Sequence, residues 1–303
     1  MNSIKSLILN QPKNKFTAAV LRAYSSSKYS YETLAVSVPK KNVYHVELNR
    51  PDKLNTFNLA MWKEIGQCFK ALHKEPECRV IVLSGQGKLF SAGIDLKSLV
   101  GYFTQANEIE DPPRRGRFLY DWMKDCQDDI SSLEDCIKPI LSVIHSACIG
   151  AAVDLITAAD IRYCTEDAWF QVKEVEVGLA ADVGVLQRLP KIVGNTSVAR
   201  ELCFTARKFD AKEALQIGLV GKVLPDKESA LKHALEVAED IATKSPVAVQ
   251  ATKLNIIYSQ DKTPKEGLEH IALINMLNHQ GEDFTKSAIA LATKGEKPDF
   301  EDY

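Results

Sequence analysis

Residues Pro139–Cys164 read PILSVIHSACIGAAVDLITAADIRYC. The run Pro139–Ile149 is apolar and β-branched, which predicts an inner strand of a buried sheet. Val153–Ala159 turns helical, and Asp160–Cys164 returns to strand. A strand, a helix and a strand in so short a span predict an α/β fold with parallel strands. At the junction, Cys148-Ile149-Gly150-Ala151-Ala152-Val153-Asp154-Leu155 places small residues where the strand enters the helix. The N–H groups of a first helical turn have no partner within the helix, and the dipole adds to their pull on negative charge. Asp154 stands one turn into this apolar helix start. It reads either as an acid favouring a helix N-terminus or as a desolvated carboxyl with a raised pKa, suited to proton transfer.

Outward from this stretch the alternation continues. Leu34, Val36 and Val38 alternate with polar residues, Lys40-Lys41-Asn42 makes a turn, and Val43–Leu48 reads as a second strand. Phe57–Leu72 carries Leu59, Trp62, Ile65 and Phe69 at helical spacing, and Cys78–Leu83 is a short buried strand closed by Ser84-Gly85. Trp169–Val177 is a further strand ending at Gly178. Between Lys97 and Leu133 the chain is polar, charged and helix-prone, interrupted at Pro112-Pro113-Arg114-Arg115; it is expected to form an inserted, partly mobile segment over a pocket. From Ser229 onward Ala230–Lys244, Pro246–Gln260 and Lys265–Met276, continuing to Thr293, are helical. The expected division is 1–30 as a targeting segment, 31–228 as the core and 229–303 as a helical region.

Two more segments join small residues to carboxylates. Leu89-Phe90-Ser91-Ala92-Gly93-Ile94-Asp95-Leu96 runs a strand into a glycine turn whose N–H groups can face an anionic oxygen. Phe170–Gly184 reads FQVKEVEVGLAADVG. On a strand Glu174 and Glu176 share one face, and the pattern does not choose between them. Asp182 lies in a small-residue loop, where a turn role is the plain alternative.

Of the 303 residues, 45% are hydrophobic and 26% charged, as in ordinary globular proteins, and no apolar run approaches a membrane span. Five of the 38 basic residues and none of the 40 acidic ones lie in the first 31, where Ser25, Ser26 and Ser27 cluster. This composition suits a mitochondrial presequence. The remainder carries 33 basic against 40 acidic residues, a formal −7, which argues against general nucleic-acid binding. The seven cysteines are scattered without ligand spacing, so reduced, buried thiols are expected, with neither a disulfide framework nor a metal site. The Asp302-Tyr303 ending is unlike a peroxisomal address, and the expected location is the mitochondrial matrix.

The three small-residue segments, in this order, resemble the crotonase (enoyl-CoA hydratase/isomerase) superfamily. Asn49-Arg50-Pro51 with Asn55, Gln187-Arg188-Leu189-Pro190 and Ala206–Val223 are similar to further signatures, and the likeness runs from about Tyr31 onward. The resemblance implies a ββα spiral core with C-terminal helices that build homotrimers or homohexamers, and an acyl-CoA thioester as substrate. It implies an oxyanion hole from the N–H groups of Ile94 and Ala151, the latter where the family usually has glycine. It implies coenzyme A contacts at Ala92, Asp95 and Lys97, acid/base places at Asp154 and Glu174 (in preference to Glu176), and a structural pair in Asp160 and Arg162. Hydratases carry Glu at both acid places and a glycine-rich loop where this chain has Ala181-Asp182-Val183-Gly184. The string through Asp182 is similar to the Δ3,5-Δ2,4-dienoyl-CoA isomerase branch, which implies that Asp154, Glu174 and Asp182 form a catalytic set without metal or cofactor. A hydratase, a Δ3-Δ2 enoyl isomerase and a non-catalytic acyl-CoA or RNA-binding relative are the alternatives.

Overall fold

The computed structural model describes residues 29–303; residues 1–28 of the segment read as a presequence lie outside the described residues. The strands are β1 (Leu34–Lys40), β2 (Val43–Leu48), β3 (Val80–Gly85), β4 (Ile140–Ile144), β5 (Ala147–Ile149), β6 (Ile161–Thr165), β7 (Trp169–Gln171), β8 (Phe209–Asp210) and β9 (Lys222–Leu224). Six form a sheet in the order β1-β2-β3-β4-β6-β9, and β5-β7-β8 form a smaller one. The β1/β2 hairpin is antiparallel, and every later pairing in the large sheet is parallel, as expected of an α/β fold.

The helices are α1 (Leu59–His73), α2 (Leu96–Asn107), α3 (Pro112–Asp135), α4 (Ala151–Thr157), α5 (Val185–Val193), α6 (Thr196–Thr205), α7 (Ala211–Gln216), α8 (Lys227–Ala242), α9 (Pro246–Ser259), α10 (Pro264–Asn278) and α11 (Glu282–Thr293). Side chains alternate across the large sheet as strand geometry dictates. Val43, Val80, Val82, Leu141 and Val143 face α8, which meets them with Ala230, Ala234, Ala238 and Ala242, one small residue per turn. Tyr44, Val46, Leu48, Ile81, Leu83 and Ile144 face the other way, into the larger core shared with α1 and α3. The first helix of the region set apart from the sequence thus completes the core of the sheet.

Four details depart from the sequence reading. Pro139–Ile149 is two strands, because Ser146 takes the left-handed conformation (φ 52°) and its carbonyl accepts from Trp169 N–H, turning the chain from one sheet into the other. Trp169–Val177 is strand only to Gln171. Glu174–Val177 is a 3₁₀ turn closed by Gly178 in the left-handed region, so Glu174 and Glu176 do not share a strand face. Pro112-Pro113 open helix α3 rather than interrupt one. Proline suits a first helical turn, where its missing N–H is not needed, and the Asp111 side chain caps Arg114 N–H at 3.1 Å. Asp160 and Arg162 are both structural but hold different partners. Asp160 pairs with Lys253 at 2.8 Å, while Arg162 donates to the carbonyls of Leu219 and Ala159. All seven cysteines are buried.

Candidate active site

Two turns lie side by side at the ends of strands. Ser91 N–H donates to Ala147 O and Ile149 N–H to Ser91 O, which lock residues 91–94 against the β5–α4 junction. The contact at Gly93 (φ 87°) is so close that a methyl there would stand 2.6 Å from the carbonyl oxygen of Ile149. Phe57 N–H donates to Gly93 O, and Asp95 N–H to Phe57 O, fixing the plane of the Gly93–Ile94 peptide. Behind it, buried Asn55 donates to the carbonyls of Gln86, Leu89 and Phe90, and Ser91 Oγ accepts from Gly93 N–H. Among the described residues neither the N–H of Ile94 nor that of Ala151 has a hydrogen-bond acceptor. Both residues line one cavity of about 310 Å³. Free N–H groups on the wall of a largely apolar cavity are strong donors for a developing oxyanion.

The three acids come from three different places in the chain. Asp154, on α4, is fully buried; its Oδ1 accepts from Val185 N–H at 2.6 Å, and its Oδ2 has no partner among the described residues. Glu174 lines the cavity from the 3₁₀ turn. A methyl at Gly150 would be 3.2 Å from its Oε1, and its buried Oε2 has no partner among the described residues. Asp182 forms part of the same cavity wall. Burial, reinforced by the charge of Glu174, raises the Asp154 carboxyl from 3.8 to about 8, against the pull of the Val185 N–H. Burial also raises Glu174, with the charge of Asp182 adding to it; Asp182, though exposed along one side, is raised by the part of it that is desolvated, against its own main-chain N–H. Asp154 lies behind the cavity wall that Glu174 and Asp182 line, and the charges of both neighbours oppose its ionisation.

Glu176, by contrast, is exposed and pairs with Lys173 at 2.6 Å. Ala92 lines the cavity. Asp95 and Lys97 do not. Asp95 caps α2 through Lys97 N–H and Ser98 N–H and pairs with Arg50 at 3.4 Å, while the Lys97 side chain is exposed nearby. The apolar part of the wall comes from Trp62, Leu99, Phe103, Trp122 and Met123, so the 97–133 segment does cover a pocket. One polar residue of that segment escaped the sequence reading: Gln127 donates from Nε2 to the main-chain carbonyl of Asp182 at 2.7 Å. Nothing in its local pattern separates it from the polar face of a helix.

The sequence profile of the family "Enoyl-CoA hydratase/isomerase" matches residues 39–303. The rat protein "Delta(3,5)-Delta(2,4)-dienoyl-CoA isomerase, mitochondrial" is 49% identical over 88% of this chain and 82% of its own length. The Arabidopsis thaliana protein "Delta(3,5)-Delta(2,4)-dienoyl-CoA isomerase, peroxisomal" is 42% identical over 89% of this chain and 98% of its own. Among solved structures, an enoyl-CoA hydratase from Bacillus anthracis superposes with a TM-score of 0.79 at 26% identity, covering 89% of this chain and 99% of that one.

Proposed function

The chain belongs to the enoyl-CoA hydratase/isomerase family, and from that premise we propose that it isomerises 3,5-dienoyl-CoA to 2,4-dienoyl-CoA in fatty acid β-oxidation. The observation that carries the reading is Asp182, an acid on the wall of the cavity that also holds Glu174 and the two free N–H groups.

In the proposed reaction the thioester oxygen accepts from Ile94 and Ala151 N–H. Glu174, ionised, takes a proton from C2. The electron pair spreads through the C3=C4 and C5=C6 bonds as a trienolate, and its charge at the thioester oxygen is met by donors each typically worth roughly 3–4 kcal/mol. Asp182, neutral at the outset, delivers a proton to C6, leaving double bonds at C2 and C4. C2 and C6 are too far apart for one compact carboxyl, which is why two acids are assigned. Asp154 keeps its own proton: its Oδ1 is occupied by the Val185 N–H, so Oδ2 carries it. A neutral Asp154 spares the ionised Glu174 the repulsion of a second charge beside it. The apolar wall excludes water that would otherwise add to the conjugated product. The proton lost from C2 stays on Glu174 and the one gained at C6 comes from Asp182; exchange of both acids with solvent restores the starting state. With no net gain or loss of electrons, the reaction calls for no metal or cofactor beyond the coenzyme A already attached. Ala92, with Asp95 and Lys97 at the start of α2, is assigned to the coenzyme A end.

The exposed Leu268, Leu273, Met276 and Leu277 of α10, with Phe284 and Leu291 of α11, support a homotrimer or homohexamer; sedimentation of the intact chain as a monomer would exclude it. The acid-free N-terminal segment and the mitochondrial rat relative support a matrix location, which imaging of the tagged full-length chain checks. The activity is tested by supplying 3,5-dienoyl-CoA and 2-enoyl-CoA separately. Growth of the conjugated 2,4-dienoyl absorbance with only slow hydration of 2-enoyl-CoA is expected. Faster hydration than isomerisation would overturn the reading.

A further inference from the structure

The loop that carries Asp182 is tied down sparsely. Leu179 N–H bonds back to Glu174 O, and Gly184 O begins helix α5 by accepting from Gln187 and Arg188 N–H. Among the described residues, the one hydrogen bond from another element to the main chain of residues 180–183 is Gln127 Nε2 to Asp182 O, at 2.7 Å. The Gln127 amide has a defined orientation, because its Oε1 accepts from Lys124 Nζ at 3.0 Å. An ammonium only donates and a carbonyl only accepts, so the amide fits between them one way round. Gln127 belongs to α3, whose Leu119, Trp122, Met123 and Cys126, at helical spacing, form one side of the apolar wall of the cavity.

We infer that Gln127 is a positioning residue that fixes Asp182 relative to the helix against which the acyl chain packs, so that the acyl wall and the acid move as one piece. It touches no reacting atom. It acts through the Asp182 main chain, setting how deep the carboxyl stands at the C6 end of the substrate. The inference rests on the proposed division of labour between Glu174 and Asp182.

The test compares wild type, Gln127→Met, Gln127→Glu and Asp182→Asn with 3,5-dienoyl-CoA in D₂O. It follows both 2,4-dienoyl formation and deuterium entry at C2 of recovered substrate. Methionine keeps the length without the donor; glutamate keeps the shape and sets an acceptor against an acceptor. A misplaced catalytic group typically costs on the order of 10²-fold, so Gln127→Met is expected to lower kcat by about tenfold to a hundredfold, and Gln127→Glu by at least as much. KM and melting temperature should change little, and C2 exchange should remain at or above the wild-type level. A merely structural residue would depress exchange and isomerisation together, and that result, or an unchanged kcat in both Gln127 variants, overturns the inference. Asp182→Asn separates the levels. If it blocks isomerisation but not exchange while the Gln127 variants are normal, only the positioning role falls. If Asp182→Asn isomerises normally, the role of Asp182 and that of Gln127 fall together.

Discussion

Asp154 is the residue at which burial and hydrogen bonding pull in opposite directions. The Val185 N–H favours its anion, but complete burial beside Glu174 wins, and the carboxyl is raised from 3.8 to about 8. A carboxyl raised on folding binds its proton more tightly in the native chain than in the unfolded one. Between about pH 4 and pH 8 the native state therefore holds more protons, and stability declines as pH rises through that window. Asp154→Asn removes the titration while keeping an oxygen for Val185. The variant is expected to gain stability over wild type as pH rises from 5 to 8, on the order of 3 kcal/mol. Thermal melts at several pH values check this, and a pH-independent difference would contradict it. In the sequence, the apolar helix start made a desolvated Asp154 one of two readings, and its complete burial decides between them. The choice of Glu174 over Glu176 was not legible from the local pattern, because it depends on a 3₁₀ turn that alternating Val and Glu disguise as strand.

At the scale of elements, the site is built where strands of the two sheets pass close together. At Gly93 a φ of 87° combined with the nearby carbonyl of Ile149 leaves no space for a side chain. Gly93→Ala is expected to push the two turns apart and misalign one oxyanion donor. Losing such a donor typically costs roughly 10²–10³-fold in kcat, so a fall of about that size is expected with substrate binding largely kept. Retention of full kcat would mean that the Ile94 and Ala151 N–H groups do not act together. The small-residue motifs made both turns visible in the sequence. Their neighbourhood was not visible, because the division of Pro139–Ile149 at Ser146 depends on a left-handed residue that the apolar run gives no reason to expect. The helical pair over the pocket was legible as helix-prone chain, but Pro112-Pro113 looked like a break because proline ends helices as readily as it starts them.

For the whole molecule, the α/β class and the C-terminal helices follow from periodicity, whereas the order of strands and the seat of α8 on the sheet depend on long-range packing. The row of alanines on α8 is a packing surface in three dimensions and reads as ordinary helix-forming sequence in one. The same long-range packing brings together Asp154, Glu174 and Asp182, and around them turns the enclosing wall of α2 and α3 inward. The assembled site is assigned one task, the transfer of a proton from C2 to C6 by two separate acids. A single turnover with enzyme in excess, 3,5-dienoyl-CoA as substrate and D₂O as solvent tests that assignment most directly. One deuterium at C6 of the 2,4-dienoyl product, donated by an Asp182 equilibrated with solvent, is the expected result; protium carried from C2 to C6 would show one group doing both steps and would contradict it.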